Sequence, residues 1–312
     1  MTQFIITVVT LVGIFGVLAV ALNLELGYAG MIDFGIVAYF AVGAYTYAIL
    51  TQDPPSGLDQ YLWGFQLPPW IGVLGAGVAA ALFALITGRL TLRLRGEYFA
   101  LTTFAFAEVL GSFIVNERRV GNGSTGLVGL ERPYRDAVSS FMDYDIFLAV
   151  VFILLLALML LVTERLVRSP YGRTLRSIRD DELAATTSGK PVERYRLQVF
   201  LIAAFAIGVA GSFYLWFTTL ATPLLFTAEV TFIVWIALVV GGVGSSWRAL
   251  FGVVVILIFE ELVRLIPFST VRTAQIATSL RLSGLGLLLI VFLRWQPVER
   301  IGRTLQRKLA RA

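Results

Sequence analysis

The stretch that decides the fold of this chain is polar, runs from residue 168 to residue 196 and reads RSPYGRTLRSIRDDELAATTSGKPVERYR. An apolar run at residues 146–162 precedes it, and a second apolar run at residues 199–217 follows it. Each run has about the length of a helix that crosses a bilayer core, roughly 17 to 25 residues. The polar stretch is therefore predicted to connect two membrane spans. It is either an inert, solvated loop or the handle by which a soluble partner moves the membrane domain.

The composition of the whole chain favours a multi-pass membrane protein. Of its 312 residues, 58% are hydrophobic and 14% are charged, whereas soluble domains carry about 25% charged residues. The chain contains no cysteine and no histidine, which excludes disulfides, thiol nucleophiles, Cys/His metal sites and imidazole acid–base chemistry. The net charge of +5 follows the predicted topology, so we expect no nucleic-acid partner.

Nine apolar segments are candidate spans. The first is interpreted as a span and not as a cleaved signal peptide, because residues 1–3 lack a basic n-region. The second and the seventh are rich in glycine and are candidates for broken or re-entrant helices. The nine segments are residues 4–22, 31–50, 69–88, 99–115, 146–162, 199–217, 230–244, 249–266 and 282–293.

Loop charges orient these spans, since cytoplasmic loops carry an excess of lysine and arginine. The loop after the third span, the stretch 168–196 and the tail 294–312 are all basic, and alternating spans place them on one side. The loop 51–68, on the other side, contains no lysine or arginine. We expect an all-α, polytopic domain over residues 1–312 with about nine transmembrane helices, its N-terminus outside and its C-terminus inside.

Glycines cluster where helices are predicted to pack closely or to break. Small residues let helix backbones approach each other, and a broken helix is tolerated where it is buried or lines a cavity. Both explanations fit a first group of glycines, at residues 27–43, and tight packing or a turn fits a second group, at residues 241–244. The candidate positions are Gly27, Gly30, Gly35 and Gly43 in the first group, and Gly241, Gly242 and Gly244 in the second.

Two carboxylates and one aromatic residue are candidates for a translocation path. Asp33 lies near the start of the second span, where it can reach the interface, cap a helix N-terminus or stand at the mouth of a path. Glu108 lies about mid-span, where a charge is costly unless it is paired, so we expect it to face the bundle interior. There it is either a structural hydrogen-bond node or a ligand for a proton or a substrate. Phe104 is grouped with these two residues.

The polar stretch itself has the pattern of an amphipathic helix. Pro170 suits a helix start, and Gly189 followed by Pro191 is a helix stop. We predict one short helix parallel to the membrane, ending in Ala184-Ala185-x-x-x-Gly189 and shaped to fit a socket on another protein. The apolar stripe is Leu175, Ile178 and Leu183, opposite Arg173, Arg176 and Arg179.

No phosphate-binding loop of the form G-x-x-x-x-G-K-[ST] occurs in the sequence. If the chain works against a gradient with ATP, the ATPase must be a separate protein.

These motifs resemble the permease subunits of bacterial ABC importers of the branched-chain amino acid family. Four stretches carry the resemblance: residues 27–45, 93–108, 169–189 with 194–214, and 241–252. The resemblance implies that the third stretch contains the coupling helix that docks on an ATPase. Carried over, the helix and its end are Glu182, Ala184, Ala185 and Gly189, and the face towards the ATPase is Arg173, Arg176, Arg179 and Asp180.

The resemblance also implies partners, cargo and location. It implies two ATPase subunits, a second permease subunit that is usually a different chain, and a periplasmic binding protein, in a bacterial inner membrane. The cargo would be branched-chain or other neutral amino acids, or a related solute such as urea, an amide or an aromatic acid. The permease would catalyse no bond change and bind no cofactor, ATP being bound by the partner. The chain departs from the family pattern at Asp33, where serine is common, and at Gly35-Ile36, where Gly-His is usual.

Two other classes of protein remain. A proton- or sodium-coupled secondary transporter would use Glu108 and Asp33 as coupling carboxylates. An integral membrane enzyme would need a cluster of polar catalytic groups at one face. The charged stretch 168–196 and the scarcity of other mid-span ionisable residues count against the first, and the lack of such a cluster in the sequence counts against the second.

Overall fold

The structure, a computed structural model, describes residues 2–55, 61–94, 96–135 and 141–264, together with 283–284, 286–287 and 290–291. Within these ranges the chain is helical apart from two short strands, which confirms the predicted all-α class. The helices are α1 (Thr2–Leu22), α2 (Ile36–Thr51), α3 (Pro69–Thr91), α4 (Glu97–Asn116), α5 (Arg118–Gly121), α6 (Phe141–Arg168), α7 (Pro170–Asp180), α8 (Glu182–Thr187), α9 (Val192–Thr218), α10 (Ala228–Gly241) and α11 (Ser246–Arg264). The strands are β1 (Leu127–Val128) and β2 (Leu220–Ala221).

Six helices in the described ranges are long and apolar enough to cross a membrane by length and composition. They are α1 with the turn that follows it, α3, α4, α6, α9, and α10 with the turn that precedes it. The apolar helix α2 is shorter, at 16 residues. The count of nine spans and the sidedness of the termini stay predictions, and half of the ninth candidate, 282–293, lies outside the described residues.

The core is formed where α2, α3 and α9 pack on one another and α1 packs on α6 and α11. Small residues bring these backbones together. A Cβ atom added to Gly43 would overlap the Gly208 carbonyl, so α2 and α9 touch backbone to backbone. Around this contact the large side chains of Tyr39, Phe40 and Phe200 are almost wholly buried.

The connections gather at two ends of the helix bundle. At one end, Met31, Leu92 and Glu182 line one small cavity, so the loop after α3 and the α7–α8 stretch lie together, as the loop charges predicted. At the other end, β1 and β2 pair antiparallel, and the Leu62 N–H donates to the Arg119 carbonyl at 3.0 Å. These two ends define the sides of the membrane domain.

Candidate functional site

Between α1 and α2 the chain leaves regular helix, and we call residues 23–35 the interrupted segment. Asn23–Tyr28 form a π-helical turn, and residues 30–35 have no regular structure before α2 begins at Ile36. π-Turns inside helices are frequent at functional sites. Irregular backbone at membrane depth is tolerated only where protein surrounds it or a cavity lies beside it. Most of the interrupted segment is buried, which satisfies the first condition.

Two side chains from neighbouring helices hold the second half of this segment. The Thr103 hydroxyl of α4 accepts a hydrogen bond from the Phe34 N–H at 3.1 Å. The Trp235 indole N–H of α10 donates to the Asp33 carbonyl at 2.8 Å. Backbone groups that no helix satisfies are thereby paired, because an unpaired buried N–H or C=O is costly.

Two further contacts hold the first half of the segment. The Arg179 guanidinium of α7 donates to the Gly27 carbonyl, so α7 contacts the interrupted segment directly. The Gly244 N–H donates to Asn23 Oδ1 at 2.8 Å. The segment is thus tied to α7 and to the loop between α10 and α11.

Glycine is required at the crossing points of these contacts. A Cβ atom added to Gly27 would lie 2.9 Å from the Gly244 nitrogen, and one added to Gly30 would lie 2.9 Å from Arg179 Cγ. Gly30 also has a φ of +72°, a conformation that side chains other than glycine rarely adopt. Both residues were predicted as packing or break positions.

The other predicted glycines lie at helix ends and crossings. Gly35 lies at the start of α2, and a Cβ atom added to it would lie 3.2 Å from the Thr103 carbonyl oxygen. Gly241 ends α10, where an added Cβ would lie 2.9 Å from the Gly252 nitrogen of α11. The seventh candidate span therefore ends at Gly241 and not at residue 244. Gly242, with a φ of +104°, turns the chain there.

Asp33 and a second acid, Glu25, are both fully buried in the interrupted segment. Asp33 Oδ1 accepts from the Gly35 N–H at 2.7 Å, which closes a turn before α2; the N-cap residue of α2 is Gly35 and no side chain caps that helix, so the predicted capping role is not seen. Glu25 was not among the predicted residues, because the first apolar run was interpreted as ending at Leu22. The structure therefore adds one buried ionisable group to those predicted.

Four aromatic rings from the interrupted segment, α4 and α10 pack together, and we call Phe34, Phe104, Phe232 and Trp235 the aromatic patch. Phe34 stacks on Trp235 with centroids 4.7 Å apart, and Phe104 lies 6.3 Å from Phe232. Phe232 is 46% exposed, so the patch opens to the surface of this chain. Phe104 was predicted as a path residue, whereas the other three rings were missed.

Glu108 does not face the interior of this chain, and that expectation was wrong. It is exposed on α4, on the helical turn after Phe104. The rule that a mid-span acid avoids lipid holds for the complete assembly, and one isolated chain need not satisfy it. Its neighbours on the same face of α4 are uncharged. We call this the α4 face, made of Leu101, Ala105, Glu108, Val109 and Ser112, all exposed.

The polar stretch forms two helices and not the single helix that was predicted. Asp181 separates α7 from α8, and its carboxylate accepts from the Ala184 N–H at 3.0 Å, which caps a new helix. Leu175 and Ile178 are buried as predicted, but Leu183 is 74% exposed. Ala185 takes the buried position in its place.

Gly189 ends α8 by a Schellman motif. The Gly189 N–H donates to the Thr186 carbonyl at 2.9 Å, and the Lys190 N–H donates to the Ala185 carbonyl at 3.1 Å. The φ of Gly189 is +78°, which the motif requires. The predicted helix stop therefore lies at the predicted residue.

Several charged residues of α7 and α8 contact other parts of the same chain. Arg176 donates to the Val167 carbonyl at the end of α6, and Glu182 pairs with Arg196 at 3.1 Å. Arg179 reaches the interrupted segment while pairing with Asp180 at 3.0 Å. These contacts bind the helices to their own chain. Arg173, Arg179 and Asp180 are exposed, as are the uncharged neighbours Leu183 and Ala184.

Tyr171 fixes the start of α7 to α9. Its hydroxyl donates to the Tyr195 carbonyl at 3.4 Å, and the two rings lie 5.2 Å apart. Burial, aided by the neighbouring Tyr195, raises the pKa of Tyr171 to about 12. The hydroxyl therefore keeps its proton, and its role as a donor, at neutral pH.

Comparison with known proteins gives relatives of one kind. The family described as branched-chain amino acid transport system / permease component matches residues 4–293. The high-affinity branched-chain amino acid transport system permease protein LivM of Escherichia coli is 31% identical over 281 residues, covering 83% of this chain and 63% of LivM. LivM of Salmonella typhimurium gives the same identity and coverage. The probable branched-chain amino acid transport permease protein LivM of Methanocaldococcus jannaschii is 24% identical over 289 residues, covering 82% of this chain and 80% of that protein.

This chain thus spans about 63% of the length of the first two relatives. No solved structure matches it. Because the family match extends over nearly the whole sequence, the chain belongs to the branched-chain amino acid transport system permease component family.

Proposed function

We propose that this chain is the membrane-spanning permease subunit of an ATP-driven importer in a bacterial inner membrane. Its cargo is a branched-chain or other neutral amino acid, with urea, amides and aromatic acids as related candidates. The observation that carries the proposal is the contact of Arg179 with Gly27, which joins an exposed pair of helices to an interrupted membrane segment. The names of the relatives support the choice of amino acids.

The proposed importer needs further subunits beside this chain. Its sequence holds no phosphate-binding loop, so two separate ATPase subunits bind the ATP. A second permease subunit, a different chain, completes the membrane domain, and a periplasmic protein delivers the solute. The basic loops support a cytoplasmic α7–α8 end and an N-terminus outside.

The docking surface for the ATPase is the exposed side of α7 and α8. Leu183 is 74% exposed among polar and charged neighbours. An apolar side chain rimmed by polar groups is the common anatomy of an interface anchor. Leu183 therefore enters the socket, and Arg173 and Asp180 make contacts at its rim.

Motion passes from this surface into the membrane through α7. Leu175 and Ile178 are 0% and 1% exposed, so α7 is packed firmly and moves as a rigid body. When the ATPase subunits close, α8 and α7 shift together, and Arg179 displaces the Gly27 carbonyl. Nucleotide thus changes the relative stability of the inward-open and outward-open states.

Two substitutions separate docking from transmission. Leu183→Asp should abolish copurification of the ATPase subunits, because it places a charge in the socket. Arg179→Gln should keep copurification and ATP hydrolysis but lose uptake, because the link to Gly27 is cut. Arg165→Gln, exposed on α6, is the matched control and should behave as wild type. All are measured in proteoliposomes that contain the complete transporter.

Solute uptake by this chain alone, abolished by a protonophore, would contradict the ATP-driven proposal. That result would restore the secondary transporter that uses Glu108 and Asp33. Loss of copurification in Arg179→Gln would instead place Arg179 in the docking surface.

We further propose that the α4 face and the aromatic patch line the solute passage, opposite the second permease subunit. A carboxylate exposed at mid-span is costly in lipid, so this face needs water or protein beside it. Phe104 and Phe232 offer an apolar wall to a branched side chain. Glu108 offers a carboxylate to its ammonium group, a charge-assisted pair.

Cysteine labelling tests this placement cleanly, since the chain contains no cysteine of its own. Ser112→Cys on the α4 face should react with a charged, water-soluble thiol reagent in the complete transporter, and solute should slow the reaction. The control Leu154→Cys, at a position 63% exposed on α6, should react only with a lipid-soluble maleimide. If both variants behave alike, α4 faces lipid.

A further inference from the structure

The two buried acids of the interrupted segment lie against each other. Glu25 and Asp33 are each 0% exposed, and their carboxyl groups lie close enough to influence each other. Both come from the same segment, Glu25 from its π-helical turn and Asp33 from its irregular part. A contact between two carboxyl groups is stable only with a proton between them, because two carboxylates cannot donate a hydrogen bond.

The hydrogen bonds around the pair leave its oxygens available for that proton. Asp33 Oδ1 accepts from the Gly35 N–H at 2.7 Å. Asp33 Oδ2 and both oxygens of Glu25 receive no hydrogen bond from any N–H or O–H group of the described residues. Three buried acceptor atoms without a donor are exceptional in a folded protein. One shared proton makes one Glu25 oxygen a donor to the Asp33 carboxylate and so pairs two of these three atoms.

Charged groups of the described residues around the pair do not neutralise it. Arg179 of α7 donates to the Gly27 carbonyl and pairs with Asp180. Arg248 of α11 donates to the Val243 carbonyl. The α2 residue nearest the pair with a titratable group is Tyr39, whose hydroxyl lies 3.5 Å from the Thr87 hydroxyl.

We propose that Glu25 and Asp33 form a proton-binding site in which protonated Glu25 donates to the Asp33 carboxylate. Asp33 carries the charge because it stands at the N-terminus of α2 and accepts the Gly35 N–H, both of which favour an anion. The proton fastens the π-helical turn to the start of α2. Its loss leaves two adjacent buried carboxylates, which repel each other and open the segment.

Opening of the interrupted segment would also displace the helices that contact its two halves. Asp33 is tied to α10 through Trp235, and the turn is tied to α7 through Arg179. Proton binding at this pair is separate from the proposed ATP-driven cycle, which uses no proton. Its readouts below do not require transport.

Infrared difference spectroscopy of the purified chain in nanodiscs tests the site directly. At neutral pH the wild type should show the C=O stretch of a protonated carboxylic acid, and raising the pH should remove it. Glu25→Gln should lack this band while folding normally, since its amide can donate to Asp33 in the same way. Glu164→Gln, whose acid pairs with Arg168 at 3.1 Å outside the segment, is the matched control and should retain the band.

Thermal unfolding gives the second readout. The wild type should lose stability as the pH rises above about 4, because the folded pair still holds a proton that the unfolded chain has already released at that pH. Glu25→Gln should remove this pH dependence, and Glu164→Gln should keep it. If Glu25→Gln fails to fold, Asp33→Asn and the pH titration of the wild-type band carry the same test.

Two results would overturn the proposal. The first is the absence of a protonated-acid band in the wild type at neutral pH, together with stabilisation by added sodium or potassium, which would indicate a bound metal cation between two carboxylates. The second is a band that persists in both Glu25→Gln and Asp33→Asn, which would place the proton on another acid.

Discussion

Two helices of span length, α9 and α4, differ in how the chain uses them. About 67% of the apolar window of α9 is buried within this chain, but only 22% of that of α4. α9 presents small residues on several sides, among them Ala203, Ala204, Gly208 and Gly211, all buried. α4 buries one narrow stripe and carries Glu108 on its open side.

The difference indicates that α9 belongs to the core of this chain, whereas α4 presents most of its surface to other molecules. Small residues let α9 approach α2 and α3 closely, and that contact is complete in one chain. The buried stripe of α4 is Phe99, Thr103, Ala107 and Ile114. Hydropathy alone treats the two helices alike. The predictions below test the contrast in descending order of their expected effect on the free energy of unfolding.

The largest effect is expected for Gly208→Ala in α9. An added Cβ would overlap the Ala80 side chain and lie 2.7 Å from the Ala76 carbonyl, and such overpacking costs about 3 kcal/mol. The matched change Gly111→Ala in α4 meets nothing within 4 Å and should stabilise the helix by about 0.5–1 kcal/mol. Both are measured as unfolding free energies in mixed micelles. Equal effects would mean that α4 is as tightly packed as α9.

A smaller effect is expected at the buried stripe of α4. Thr103→Val removes the acceptor of the Phe34 N–H and should lower the unfolding free energy by about 1–2 kcal/mol. The adjacent Thr102→Val is the control, since that hydroxyl bonds only to Tyr98 in its own helix in the described structure, and its effect should be about 0.5 kcal/mol or less. A larger loss in the control would show that the outward side of α4 also packs within the chain.

The smallest effect on folding is expected for Glu108→Gln. The side chain is exposed, so the unfolding free energy of the chain should change by about 0.5 kcal/mol or less. Loss of a charge-assisted hydrogen bond to the solute, about 1.5–3 kcal/mol, should lower uptake roughly 10- to 100-fold in the complete transporter. A destabilised chain with normal uptake would instead make Glu108 a structural residue.

Local signals in the sequence were enough for most of the fold. The helices over eight of the nine candidate spans lie where apolar runs predicted them, and Pro170 and Gly189 begin and end the α7–α8 stretch. The break at Asp181 had a signal that was overlooked, because aspartate is a strong N-cap residue before Glu182. The cap divides the stretch because its carboxylate can satisfy the Ala184 N–H.

The candidate site depended on contacts that no local pattern contains. The π-helical turn has no sequence signature, so Glu25 appeared to lie beyond the first span, and its contact with Asp33 could not be anticipated. The inward reach of Arg179 needs the position of α7 relative to Gly27. Glu108 was misplaced because a rule about lipid exposure was applied to a single chain when it holds for an assembly.

The pairing of β1 with β2 limits how α4 can move. Leu127 pairs with Ala221, and Val128 pairs with Leu220, which pins the loop after α4 to the end of α9. Because α4 buries only a narrow stripe along its length, we expect this pin to act as a pivot if α4 tilts. Over its 20 residues, about 30 Å, a tilt of about 10° displaces the far end by roughly 5 Å. The swing is greatest at Glu97, beside the α7–α8 end, and least where the pin lies.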